Sequence, residues 1–375
     1  MSFSVDLKAL EEFGGLLHEL SLDAQNIKTR SGEQLYTSVA GEEAPDSLET
    51  GLLFSEVTQL CAEARKRAEP RMKTVEDVYV GSAWGVGGAQ TVYEKTDKGV
   101  RARVDATYPA VKGGRSQDGE RPPLNGQKAD PGALFHKIFA VDTNVDDVDV
   151  TMLEDFQPKV TAVENFLDGL GDRLSIQYWV REGLRWVLGF DPIEEVLQLF
   201  VGDWRSVAAE ALMWKNCGGA YGGIARNTNL YQYLEHFWTG NAADAALEYF
   251  GKVTAGVDAE VEFYDFLYRL YQEAVHIVYQ GYKTVDFLVG TLLDLVIDAG
   301  IGNIGKIPKV ILRIKELWNA IADVVSRVAA AIRGVRMSLM DGPGGNEPPC
   351  PLKDLVTSHG PGEMPSAYRH PGDKD

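Results

Sequence analysis

The histidines and acidic residues of this chain do not form a pattern typical of a catalytic or metal centre. Its 375 residues contain no His-Glu-x-x-His run, no Gly-x-Ser-x-Gly turn and no cluster of carboxylates with histidine. The six histidines are spread along the chain, at His18, His136, His236, His276, His359 and His370. We therefore predict a protein that is not an enzyme, with no catalytic residue, no metal and no cofactor.

One glycine-rich motif has the spacing of a phosphate-binding loop. Residues 300–305, Gly-Ile-Gly-Asn-Ile-Gly, fit the pattern G-x-G-x-x-G that dinucleotide-binding folds place between a strand and a helix. Here the preceding segment has the periodicity of a helix, and Pro308 suits the first turn of another helix. We therefore interpret the motif as a glycine hinge between two helices.

Composition narrows the class of protein further. The formal net charge is −18, which argues against nucleic acid as a partner because such proteins carry a basic surface. The three cysteines, Cys61, Cys217 and Cys350, lack paired spacing and are interpreted as incidental thiols, the first two buried and the third exposed. The start of the chain has no signal-peptide pattern, and no apolar run is both long and uncharged enough to span a membrane.

Helical periodicity dominates the chain and divides it into four predicted regions. Residues 1–84 carry two amphipathic segments, which predict an antiparallel helical hairpin. Residues 85–132 combine a linker rich in glycine and proline with an alternating stretch that turns at 97–99, typical of a β-hairpin. Residues 133–338 predict a bundle of long helices, and residues 339–375 a disordered tail. The predicted fold class is thus mostly α, with long antiparallel helical hairpins, a small β-hairpin insertion and a disordered C-terminal tail.

A Trp-Thr-Gly tripeptide lies where two long helical patterns meet. Gly240 suits the left-handed backbone conformation that ends a helix, and Asn241 is a suitable cap for the next one. Apolar residues at helical spacings on both sides predict the hairpin interface, among them Phe237, Ala246, Phe250 and Val253. Trp238 is interpreted as an anchor at the tip of the hairpin, outside this stripe, and is expected to matter more for export than for folding.

This arrangement resembles the WxG family of proteins that type VII secretion systems export, in which a Trp-x-Gly motif joins two long helices. Trp238-Thr239-Gly240 matches the motif, and the N-terminal hairpin is similar to short helical-hairpin proteins that accompany the same systems. The resemblance covers residues 1–80 and 190–280. It implies an effector, scaffold or partner-binding module without catalysis, which leaves the cytoplasm without a signal peptide for the medium or the cell envelope.

The resemblance also implies a second motif, Tyr-x-x-x-Asp/Glu, that forms a composite export signal with the WxG turn. The spacing occurs at Tyr93–Asp97, Tyr178–Glu182 and Tyr282–Asp286. We predict Tyr282 and Asp286 to be the signal, because this pair follows the second long helix as in the family. That helix would separate the pair from Trp238 by roughly 60 Å. An N-terminal hairpin whose end folds back beside Trp238 would favour Tyr93–Asp97 instead.

The partners that the resemblance implies are the ATPase of the secretion system and other helical-hairpin proteins, and both homo- and hetero-oligomers remain open. Two other functions fit the same sequence. A membrane-active helical toxin or pore component would contact the membrane through residues 285–334, where lysine and arginine share a helix with apolar residues and Trp318. A delivery module of a polymorphic toxin would carry the export features without a catalytic tail.

Overall fold

The fold is mostly helical, as predicted, in a computed structural model of the chain. The structure describes residues 4–38, 51–96, 98–106, 130–148, 158–163, 165–166, 169, 178–300, 308–340 and 346–357. Within these ranges, the strands form one two-stranded antiparallel pair. The fold class predicted from helical periodicity is therefore confirmed.

Long helices form the framework, and shorter elements join them. The long helices are α1 (Leu7–Ser38), α2 (Leu52–Lys95), α7 (Trp204–Thr228), α8 (Asn241–Ala299) and α9 (Pro308–Met337). The shorter helices are α3 (Lys98–Asp105), α4 (Pro131–Leu134), α5 (Tyr178–Leu188), α6 (Pro192–Phe200) and α10 (Pro351–Thr357). A 3-10 helix, Asn229–His236, follows α7, and the strands are β1 (Ser4–Val5) and β2 (Trp238–Thr239).

The helical hairpin predicted at the N-terminus is formed by α1 and α2, but the location predicted for the β-hairpin is wrong. α2 continues through Lys95, and α3 occupies most of the remaining stretch. Val86, Ala89 and Tyr93 are all buried, and their spacing of three and four residues places them on one face of a helix. The antiparallel strands lie elsewhere, where β1 pairs with β2.

The N-terminal hairpin and the helical bundle share one core. Buried residues of α1 and α2 belong to the same apolar cluster as those of α7, α8 and α9. Two ion pairs cross this interior. Arg71 Nε donates to Glu260 Oε2 at 2.7 Å, with both side chains buried, and Arg65 Nη2 donates to Glu210 Oε2 at 2.6 Å. The predicted boundaries after residues 84 and 132 therefore do not separate independently packed units.

α8 is one continuous helix of 59 residues. Its far end belongs to a smaller apolar cluster with α5 and α9, formed by Val180, Leu184, Leu292, Val296, Ile314 and Leu317. Gly300 follows α8 with φ +70°, a conformation that suits glycine at a helix end. The remainder of the predicted hinge, 301–307, lies outside the described residues, and α9 begins at Pro308 as predicted.

The prediction of a disordered tail does not hold for residues 346–357, which we call the tail strap. Arg71 donates to the carboxylate of Glu347 at 3.2 Å and to the carbonyl oxygens of Pro348 and Pro349 at 3.0 Å each. Leu352 is fully buried, and a Cβ at Gly256 would lie only 2.4 Å from it. Residues 358–375 lie outside the described residues. Of the cysteines, Cys61 and Cys217 are buried as predicted, whereas Cys350, predicted to be exposed, is partly buried in the strap.

Candidate functional site

The WxG turn is held by the first residues of the chain. β2 pairs antiparallel with β1, so that Val5 lies opposite Trp238 and Ser4 opposite Thr239. The Ser4 amide donates to Thr239 Oγ1 at 3.0 Å, and the Asp6 amide donates to the Phe237 carbonyl at 2.8 Å. The chain therefore enters α1 directly beside the point at which it will later enter α8.

Trp238 belongs to the main core, whereas the sequence predicted an anchor at the hairpin tip, outside the apolar stripe. Its side chain is 1 % exposed, and its ring meets the Tyr93 ring edge-to-face, with centroids 6.1 Å apart. This contact exists because α2 extends to Lys95 and carries Tyr93 to the WxG turn. Since aromatic rings contribute large apolar areas to a core, Trp238 stabilises the junction between the N-terminal hairpin and α8.

Gly240 is the N-cap residue of α8, not the left-handed end of the preceding helix. Its φ of +125° and ψ of −177° belong to a region that is essentially restricted to glycine. A Cβ at this position would also lie 2.6 Å from both carboxylate oxygens of Asp105. The conformation and the close approach each require glycine.

Asp105 caps α8, although no motif in the sequence marks this residue. Its Oδ1 accepts from the Ala242 amide at 2.9 Å and its Oδ2 from the Asn241 amide at 3.1 Å. Asn241, the predicted cap, is thus the first residue of the helix instead. A carboxylate suits the positive end of a helix dipole. Burial, and then the charge of Asp105, raise the pKa of Asp244 in the first turn of α8.

The residues predicted for the hairpin interface lie close together around the WxG turn. Ala246, Phe250 and Val253 are buried, and Phe237 is partly buried. The Phe250 ring meets the Phe13 ring of α1 edge-to-face, with centroids 4.9 Å apart. This face of α8 therefore packs against the N-terminal hairpin as well as against its own bundle.

The three Tyr-x-x-x-Asp/Glu pairs lie in different parts of the structure. Tyr93 contacts Trp238, while Asp97 lies outside the described residues. Tyr282 and Asp286 are partly buried on α8, roughly 60 Å along the helix from Gly240, and the Tyr282 ring packs against Phe166 instead.

For the third pair, Glu182 forms an ion pair with Arg185 at 3.0 Å on the short helix α5. The Tyr178 side chain is not among those described. The structure therefore brings Trp238, Gly240 and Tyr93 together, and it leaves Tyr282 and Asp286 distant from them.

An open groove of about 1010 Å³ runs along the hairpin formed by α1 and α2. Gly14, Gly81 and Gly88 line it, together with Trp84, whose side chain is 78 % exposed. Small and apolar side chains with few ionisable groups make this groove suitable for contact rather than for acid–base chemistry.

The described residues of the WxG junction make packing contacts and helix-capping hydrogen bonds. The carboxylate of Asp105 is occupied by two backbone amides of α8. Within the described ranges, no group of three histidine, cysteine, aspartate or glutamate side chains is placed to hold a metal ion. No protein-family model, curated protein or solved structure matches the chain.

Proposed function

We propose that this chain is a WxG-type protein exported by a type VII secretion system, acting as an effector, scaffold or partner-binding module without catalysis. The observation that supports this proposal is the contact between Trp238 and Tyr93. It places the first residue of a Tyr-x-x-x-Asp pattern beside the WxG turn within a single chain. The family resemblance implies that these two motifs act as one composite signal.

In this proposal the export signal is formed by the WxG turn and Tyr93–Asp97, in place of the pair predicted from sequence. Tyr282 and Asp286 would reach the WxG turn of another copy only in an antiparallel assembly, because α8 holds them roughly 60 Å away in the same chain. Tyr93 meets Trp238 within one chain, so a signal that uses Tyr93 requires no second chain. The secretion ATPase remains the proposed partner.

The mode of recognition follows from burial. The side chains of Trp238 and Tyr93 are 1 % and 0 % exposed, so a partner does not reach them while the junction is folded. In this proposal Trp238 and Tyr93 act by fixing the position of the exposed residues at the end of α2. Exposed side chains at the end of α2, such as Glu94 and Lys95, then provide the direct contacts.

The test compares Asp97→Ala with Asp286→Ala in a host that carries the secretion apparatus. The two variants make the same chemical change in the two candidate signals. We expect Asp97→Ala to reduce the amount of protein in the medium at unchanged cellular level, and Asp286→Ala to be exported normally. Export blocked by Asp286→Ala alone would favour the two-chain signal. Normal export of both variants would remove the export signal from the proposal.

A membrane-active toxin is the second candidate, and exposed apolar side chains far from the WxG turn favour it. Trp186, Phe287 and Leu312 are 67 %, 71 % and 60 % exposed. The apolar side of α9, however, is buried in the bundle through residues such as Ile314 and Ile321. None of the described helices combines the length and the hydropathy needed to cross a bilayer. Dye release from anionic vesicles by the purified protein would support this candidate, and intact vesicles would count against it.

A further inference from the structure

α8 is capped by a residue that is distant in sequence. Helices are usually capped by the residue that directly precedes them, and α6 and α7 follow this rule with Asp191 and Asp203. At α8 the preceding residue is Gly240, which has no side chain, and the cap is Asp105 at the end of α3. The start of the longest described helix therefore depends on another segment of the chain.

The glycine of the WxG turn is what admits this cap. Any side chain at position 240 would meet the Asp105 carboxylate, because a Cβ there would lie 2.6 Å from both of its oxygens. Asp105 is 8 % exposed, so its contact with Gly240 is buried. The third position of the motif and Asp105 thus form one steric unit.

Asp105 is the last of three anchors along the same segment. Tyr93 contacts Trp238 at its start. Arg101 Nε donates to the Thr96 carbonyl at 2.9 Å, which joins α3 to the end of α2. Asp105 then bonds to the first two amides of α8. Tyr93 and Asp105, which are described on either side of position 97, therefore contact Trp238 and the start of α8, respectively.

We infer that Asp105 is a positioning residue that holds α3 against the WxG turn, and that the composite signal depends on this contact. This inference rests on the proposed function for its consequence in export. The contact of Asp105 with α8, which we call the clamp, is a property of the folded chain. Loss of the Asp105 carboxylate releases α3 from α8 and leaves the shared core of α1, α2, α7 and α8 in place.

The structural arm of the test is amide hydrogen exchange of the purified full chain. Asp105→Ala is expected to speed exchange in α3 and at Asn241 and Ala242 by about fivefold, the effect of losing a typical N-cap. Asp105→Asn keeps one of the two acceptor oxygens, so it is expected to exchange faster than the wild type and more slowly than Asp105→Ala. The matched control is Asp203→Ala, which removes the cap of α7 and is expected to change exchange only there.

The export arm uses the same three variants. Asp105→Ala is expected to lower export and Asp105→Asn to lower it less, whereas Asp203→Ala is exported normally, which separates positioning from a general loss of stability. Wild-type exchange in Asp105→Ala would overturn the inference, whatever its export. A second outcome is faster exchange and normal export of Asp105→Ala together with no export of Asp97→Ala. It would show that Asp105 has no role in recognition, and it would leave the proposed function standing. Normal export of both Asp97→Ala and Asp105→Ala would reject the proposed function, and the exchange result would then decide the clamp alone.

Discussion

At the scale of single residues, the WxG turn joins three segments, and each motif position has its own physical role. Trp238 fills core space beside Tyr93, Thr239 bonds to the first strand, and Gly240 admits Asp105. The sequence alone does not distinguish a tryptophan that binds a partner from one that packs in the core. Here its burial assigns it to the core, so an export defect at this position has to be separated from a folding defect.

Trp238→Ala is predicted to destabilise the protein strongly, unlike a substitution at an exposed tip. Removing a buried aromatic ring costs about 3–5 kcal/mol, because the lost transfer energy is joined by the cost of the cavity. Trp238→Phe keeps a ring that can pack on Tyr93 and is expected to cost less. Urea denaturation followed by circular dichroism measures both variants. An unchanged midpoint for Trp238→Ala would contradict the burial of this side chain.

Gly240→Ala is predicted to destabilise the protein, and part of the cost is predicted to depend on Asp105. The backbone conformation alone costs about 1–3 kcal/mol for a residue with a side chain. The clash with the carboxylate adds to this cost and disappears when Asp105 is alanine. A double-mutant cycle with Asp105→Ala measures the coupling from denaturation midpoints. Strictly additive costs would show that the two residues are not in contact.

At the scale of elements, the long amphipathic helices were predictable and their junctions were not. α1 and α9 follow from apolar residues at helical spacing, and Pro308 marks the start of α9. In sequence the end of α2 resembles a strand, because a short alternating stretch fits the period of a strand as well as that of a helix. The helix is favoured because it buries Val86, Ala89 and Tyr93 against residues distant in sequence. Similarly, no local signal marks Asp105 as the cap of α8, since the two lie far apart in the chain.

The tail strap shows the same limitation in a proline-rich segment. Such a composition predicts disorder because it offers few apolar groups to offset the entropy lost on ordering. Here the carbonyl oxygens of Pro348 and Pro349 bond to Arg71, whose side chain is 6 % exposed and is also paired with Glu260. The strap therefore completes a buried network that starts in α2 and α8, and composition alone could not reveal it.

Deletion of residues 341–375 is predicted to lower the melting temperature by several degrees, whereas deletion of 358–375 alone is predicted to leave it unchanged. The longer deletion removes Leu352 from its site beside Gly256 and removes the carbonyl oxygens from Arg71. Leu352→Ala is expected to cost about 2–5 kcal/mol, as for other buried leucines. Thermal melts of the three variants provide the measurement. Equal melting temperatures for both deletions would show that the strap does not stabilise the bundle.

At the scale of the whole molecule, two helical regions that look separate in sequence share one interior. Arg71 and Arg65 of α2 pair with Glu260 of α8 and Glu210 of α7, and the Tyr271 hydroxyl also donates to Glu210 at 2.6 Å. Burying a charge costs free energy unless the charge is paired. The arginines of the N-terminal hairpin and the glutamates of the bundle therefore supply each other's counter-charges. The same arrangement places the WxG junction at one end of α8 and the Tyr282 region roughly 60 Å away along it.

This shared interior predicts how the chain behaves when it is divided. Residues 1–113 and 114–375, co-expressed as two polypeptides, are expected to co-purify as a one-to-one complex, because the ion pairs and the Trp238–Tyr93 contact cross between them. The 1–113 fragment alone exposes the apolar faces of α1 and α2 and leaves Arg71 unpaired, so it is expected to lack a cooperative melt. Arg71→Ala in the short fragment is the control. It leaves Glu260 buried without its cation, a loss of about 3–5 kcal/mol that is expected to weaken the complex. Separate elution of the two polypeptides, with a cooperative melt of 1–113 by itself, would show instead that the N-terminal hairpin is an independent domain.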